Sequence, residues 1–196
     1  MPADIPFARI ALERQADAIN LWIGNERSVT ALHKDNYENV YVQVRGQKHF
    51  VLLPPIEMPC VNEQPLPKAR YEPVDEEPAL SKAGDLRIRE TEDEDRVPVA
   101  TWDPDSPKDR ASEYSHLSIP LRVTLEEGDM LYLPTMWYHK VSQSAGEEGF
   151  ACAVNYWYDM DFDGSFWTAN ELMRDVVHAK ARGVQYPALE LGDAGT

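Results

Sequence analysis

Only two cysteines, Cys60 and Cys152, occur in the 196 residues. That is too few for a disulfide framework or a zinc finger, and it fits a reducing compartment. No apolar run approaches the length of a membrane span, and the opening MPADIPFARIALERQADAIN lacks the basic-then-apolar order of a secretory leader. Basic residues are scarce as well: 19 Lys and Arg stand against 34 Asp and Glu, for a formal net charge of -15. A field of that sign repels nucleic acid and anionic membranes, so neither is expected as a partner. It attracts a basic protein or peptide segment, although acidity is also an ordinary route to solubility. These absences leave a soluble protein expected in the cytoplasm, with the nucleus as a second compartment.

What is present fits one globular domain over 1–196, since 43% of the residues are hydrophobic and no long low-complexity run interrupts them. Runs of β character come early, at INLWIG (19–24), NVYVQVRG (39–46) and QKHFVLLPP (47–55). They return late, at LRVTLEEGDMLYLP (121–134), WYHKVSQS (137–144) and FACAVNYWYDM (150–160). Gly, Pro or polar turn residues bound each run, which predicts a sandwich or barrel. Arg45-Gly46 reads as a hairpin turn, because glycine adopts the positive φ a tight reversal needs.

Between the two halves, an acidic, Pro-rich segment at about 56–118 includes VDEEP (74–78) and RETEDEDR (89–96). Its charge and prolines predict an exposed insertion that supplies no core. A lid or a dock for a basic partner is the functional alternative to a plain solvated loop. Near the end, Phe166, Ala169, Leu172, Met173, Val176, Val177 and Lys180 recur close to a 3.6-residue period. They predict an amphipathic helix at about 165–182, stopped by Gly183 and packed on the barrel.

His33-Lys34-Asp35 carries the chemistry. On an extended strand, residues two apart share a face, so His33 and Asp35 can converge on one ion while Lys34 points away. A distant His139 would complete the two-histidine, one-carboxylate set that binds non-haem Fe(II) and leaves positions open for a 2-oxo acid and O2. Chance alone gives roughly 0.4 His-x-Asp tripeptides in a chain of this composition, so an ordinary surface motif is the competing reading. Context favours the metal: the pair follows SVTAL, and His139 lies in a second strand block behind the Gly128-Asp129 turn. Asn39, Tyr41, Gln43, Lys48 and Phe50 would share the inner face of the expected hairpin. An inward Lys48 needs an anion, and the distal carboxylate of 2-oxoglutarate would supply it, with the Thr30 hydroxyl as a second donor.

The stretch NLWIGNERSVTALHKDNYENVYVQVRGQKHFVLLPP, with GDMLYLPTMWYHKV and AVNYWYDM, resembles the JmjC oxygenases, and within them the small lysyl-hydroxylase branch. The resemblance implies a mainly β, double-stranded β-helix (cupin or jelly-roll) fold with a C-terminal helix. It implies Fe(II) on His33, Asp35 and His139, and 2-oxoglutarate with O2 as co-substrates. Thr30 and Lys48 are implied as 2-oxoglutarate contacts, with Asn39 and Asn155 as further polar positions near it. Family members carry a longer stretch before the INLWIG-like strand, so a chain lacking part of the usual N-terminal region is expected. The activity implied is hydroxylation of a lysine on a translation-associated GTPase, in a protein that forms homodimers in several relatives. Histone lysine demethylation is one alternative; a truncated cupin-like binding protein or pseudoenzyme is the other.

Overall fold

The computed structural model describes residues 4–74, 86–91 and 96–183. After a short helix, α1 (Pro6–Leu12), come β1 (Ala18–Gly24), β2 (Thr30–His33), β3 (Tyr37–Arg45) and β4 (Gln47–Leu53). The middle segment contributes a 3-10 helix over Pro55–Val61, then β5 (Glu63–Pro67), β6 (Ala69–Pro73), β7 (Leu86–Glu90) and β8 (Arg96–Ala100). The second half supplies β9 (Leu121–Leu125), β10 (Met130–Leu133), β11 (Tyr138–Ser144) and β12 (Ala151–Asp159), followed by α2 (Ser165–Ala181).

Two four-stranded antiparallel sheets face each other, ordered β1-β12-β3-β10 and β2-β11-β4-β9. From β1 to β4 the chain crosses between sheets at every step, and it crosses again from β9 through β12. That alternation is the double-stranded β-helix expected from the resemblance.

The expected hairpin at Arg45-Gly46 does not form. β3 pairs with β12 and β10, whereas β4 pairs with β11 and β9. Gly46 does adopt φ +65, but at a corner between sheets, where an added Cβ would lie 2.6 Å from the Ser144 carbonyl oxygen. Crossing to the facing sheet wins because it buries the inner residues of β3 and β4 against one another. Tyr41 and Phe50 meet edge to face across the gap, with centroids 5.2 Å apart. Residues 39, 41, 48 and 50 therefore do line one space, from opposite walls, whereas Gln43 is buried outside that lining and donates to the Arg45 carbonyl.

Three apolar layers follow from strand alternation. Tyr41, Phe50, Leu52, Leu125, Leu133, Val141 and Ala153 fill the space between the sheets. Ile5 and Ala8 of α1 cover Val40, Val154, Tyr156 and Tyr158 on the back of the first sheet. Behind the second sheet, Leu32, Val51, Leu53 and Tyr138 pack against Met58, Val61 and Trp102, with Met173 and Val177 of α2 closing the layer.

That last layer corrects the solvated-loop expectation for 56–118. In its described part, β5 pairs with β8, β6 pairs with β7, and Met58, Val61 and Trp102 are core. Average charge concealed this, because only a few of the segment's apolar residues, Met58, Val61 and Trp102 among them, are buried, while Leu66, Leu86 and Ile88 stay exposed. Most of VDEEP and the centre of RETEDEDR lie outside the described residues. The α2 stripe is half-buried along Met173 and Val177, while Phe166, Leu172 and Val176 stay exposed. No helix among the described residues is long and apolar enough to cross a membrane. Leu53 is fully buried, so Leu53→Ala should cost about 2–5 kcal/mol of stability. Urea unfolding checks this; a loss below about 1 kcal/mol would mean that the layer closes over the missing side chain.

Candidate metal centre

The two histidines come from neighbouring strands. His33 and His139 are register partners in the β2/β11 pair, and their ring centroids lie 4.1 Å apart. β2 ends at His33, so Asp35 lies just beyond the strand on which its spacing from His33 had placed it. Its backbone is held in place all the same, because the Met136 N–H donates to the Asp35 carbonyl at 2.9 Å. Asp35 Oδ2 stands 3.7 Å from His33 Nε2 and 3.6 Å from His139 Nε2. Both distances are too long for a direct hydrogen bond and close to the spacing of neighbouring ligands on one small cation.

Both imidazoles are already oriented. His33 Nδ1 lies 2.8 Å from the Ala31 carbonyl oxygen, and His139 Nδ1 lies 3.0 Å from that of Trp137. Each Nδ1 therefore carries the proton, and each Nε2 presents a lone pair toward the carboxylate, the arrangement a metal-ligating histidine needs. Burial, with the adjacent His33 ring, pushes His139 down to about 3, so it is neutral at ordinary pH. Burial raises Asp35, against the opposing pull of His33. These three are the one His/Asp/Glu/Cys group among the described residues whose donor atoms converge, all within 4.8 Å. Two imidazole nitrogens and one carboxylate oxygen make a donor set that fits Fe(II).

The triad opens into a cleft between the sheets. Thr30, His33, Asp35, Asn39, Lys48, His139 and Asn155 all line it, so the structure brings the candidate metal ligands and co-substrate contacts to one space. Lys48 is 7% exposed, and no carboxylate among the described residues pairs with it. Burial lowers its pKa accordingly. Asn155 Oδ1 accepts a hydrogen bond from Trp22 Nε1 at 3.0 Å, whereas Asn39 Oδ1 is buried without a partner among the described residues. Three lining residues escape a reading of the sequence alone: Val141 and two aromatics, Trp22 and Trp157, the last stacked on Tyr37 with ring centroids 4.8 Å apart. The signal for the two aromatics was the alternation in NLWIG and NYWYD, which puts Trp22 and Trp157 on the same face as Asn20 and Asn155.

Residues 2–164 match the cupin-like domain family. The chain belongs to that family. Among relatives of this cupin-like chain, the Arabidopsis thaliana lysine-specific demethylase JMJ32 is 42% identical over 82% of the chain and 47% of its own length. The human bifunctional peptidase and (3S)-lysyl hydroxylase JMJD7 is 38% identical over 83% of the chain and 48% of its own length. The JmjC domain-containing protein E of Dictyostelium discoideum is 33% identical over 81% and 47% respectively. The chain thus spans about half the length of the curated relatives it matches, and the JmjC resemblance read from the sequence holds.

Proposed function

We propose that this chain is the metal-bearing part of an Fe(II)- and 2-oxoglutarate-dependent protein oxygenase that hydroxylates a lysine side chain. The observation that carries the reading is the pairing of a preformed His-Asp-His donor set with a buried lysine that meets no carboxylate among the described residues, in the same cleft. Fe(II) with 2-oxoglutarate and O2 supplies the oxidising power to place oxygen in a substrate C–H bond.

The chain's own residues do the rest. His33, Asp35 and His139 would hold the metal, and Asp35 offsets part of its charge. The Lys48 ammonium would take the distal carboxylate of 2-oxoglutarate, a charge-assisted contact strengthened by burial, with the Thr30 hydroxyl beside it. Tyr41, Phe50 and Trp22 narrow the cleft and limit water around the bound co-substrate. Asn155, fixed by Trp22, and Asn39 offer further polar contacts.

For substrate, the reading takes a protein with a basic target segment, which the acidic chain attracts. The lysyl-hydroxylase name of one relative supports the reaction, and a translation-associated GTPase is the proposed target. A cytoplasmic location, extending to the nucleus, and a homodimer complete the proposal.

A second reading, lysine demethylation, uses the same metal chemistry on an N-methyl group and draws support from the name of another relative. Product mass separates the two: hydroxylation adds an oxygen, and demethylation removes a methyl group. Anaerobic titration with Fe(II) and then 2-oxoglutarate tests the shared core. A visible metal-to-ligand charge-transfer band at one Fe(II) per chain is the expected result. Its absence, with the protein folded, would leave a binding module or pseudoenzyme.

A further inference from the structure

β2, which ends in His33 and leads into Asp35, is four residues long and lies at the edge of its sheet. Its pairing with β11 is irregular, with a register shift between His139 and Val141. A short edge strand with so few ladder bonds has little stability of its own. What fixes it lies behind the sheet. Leu32 is buried against Tyr138, and the Lys34 ammonium sits over the Tyr138 ring, 5.3 Å from its centroid. Tyr138 directly precedes His139, so one aromatic ring backs the segments that carry all three metal-site residues.

Beneath that ring lies a charged cluster built on the buried Glu63, with partly buried partners. The Tyr138 hydroxyl donates to Glu63 Oε1 at 3.5 Å, and Glu63, with its side chain 1% exposed, meets Arg174 Nε at 2.9 Å. Arg174 also donates to Glu171 at 2.7 Å, and His178 Nε2 stands 3.7 Å from Glu63. The Glu63–Arg174 contact is off hydrogen-bonding alignment and is therefore mainly Coulombic. Lys34 lies in the fields of Glu63, Glu171 and Arg174. Arg174, Glu171 and His178 all belong to α2, which begins at Ser165, one residue after the family match ends.

We propose that α2, through the pairing of Arg174 with the buried Glu63, is the positioning device of the metal centre: it fixes Tyr138 and Lys34 from behind and so holds His33, Asp35 and His139 at ligating separation. The inference rests on the metal-site reading above. It makes Arg174 and Glu63 positioning residues, remote from the reacting atoms. The helix outside the family match becomes part of the site's support.

The test compares Arg174→Gln with Val177→Ala, which loses packing of α2 but leaves the charges in place, and with Arg174→Lys. Mn(II) affinity is read by electron paramagnetic resonance without co-substrate, and amide exchange is followed across residues 30–35. In Arg174→Gln, Mn(II) affinity should fall roughly 10–100-fold, and exchange of 30–35 should accelerate by about tenfold. Arg174→Lys should recover most of both, and Val177→Ala, at an equal loss of melting temperature, should move neither. If Arg174→Gln and Val177→Ala behave alike once matched for stability, α2 only adds stability and the proposal is wrong, while the metal site stands. If the wild type binds no Mn(II), the metal reading falls and the proposal with it. Should Arg174→Gln fail to fold, Lys34→Met, which leaves α2 intact, takes its place in the comparison: weakened Mn(II) binding supports the proposal, and behaviour matching Val177→Ala overturns it.

Discussion

Asp35→Ala should abolish coupled succinate formation, by three orders of magnitude or more, equivalent to about 4 kcal/mol of lost transition-state stabilisation. Asp35 is the only anionic member of the donor set, and its Oδ2 lies between the two Nε2 atoms. Without it, two neutral imidazoles remain, a pair that holds a divalent cation weakly and leaves its charge unbalanced. The backbone carbonyl of Asp35, which accepts from Met136, is untouched by the change, so the loop keeps its shape. Stability should move the other way. Burial raises the folded-state pKa of Asp35, so the metal-free protein carries a stability term that is present at low pH and lost as pH rises through that raised value. At neutral pH the metal-free carboxylate is therefore a burden, and the alanine variant should melt no lower than the wild type. Retained Mn(II) binding together with near-normal turnover would exclude this site.

Lys48→Met carries the second large effect. A buried ammonium with no acidic partner is costly, and the substitution keeps the aliphatic stem while removing the charge, so the ligand-free protein should gain stability. Binding of 2-oxoglutarate should suffer: removing one partner of a buried ion pair costs about 2–5 kcal/mol, which raises the half-saturating concentration on the order of a hundredfold or more. Succinate, with a carboxylate at each end, should lose affinity in parallel if Lys48 holds the distal group. The pH dependence has a definite sign. Burial lowers the Lys48 pKa in the free protein, and only the protonated form pairs with a carboxylate. Affinity should therefore weaken as pH rises through that lowered value, at lower pH than an exposed lysine would require. Isothermal titration across the alkaline range reads this directly. Equal 2-oxoglutarate affinity in wild type and Lys48→Met would show that the ammonium faces something other than the co-substrate.

The β runs, the turn at Gly128-Asp129 and α2 were legible because each is written locally, in alternation, in a glycine with positive φ, or in a 3.6-residue period. The partnership of His33 and Asp35 was legible for a related reason: two residues' spacing keeps side chains on one side whether or not the strand continues, and here the strand stops at His33. Trp22 and Trp157 were overlooked because an aromatic on an alternating strand reads as ordinary core. The hairpin between β3 and β4 was misread because a glycine at φ +65 serves a tight reversal and a sheet-to-sheet corner equally well. Nothing local records which edge a strand will pair with.

Composition, spacing and alternation by themselves determined the strand content, the net acidic charge and the candidate donors, while the family entered through the resemblance of whole motifs and not through these patterns. Only the tertiary structure decided that β3 and β4 line opposite walls, that His33 stands opposite His139, that Lys48 meets no counter-charge among the described residues and that the charged middle segment lends Met58, Val61 and Trp102 to the core. The physical reason is common to all of these. Pairing, facing and charge balance are relations between segments far apart in the chain, and they are settled by which burial and hydrogen-bonding pattern has the lowest total free energy. No single window of sequence holds that sum.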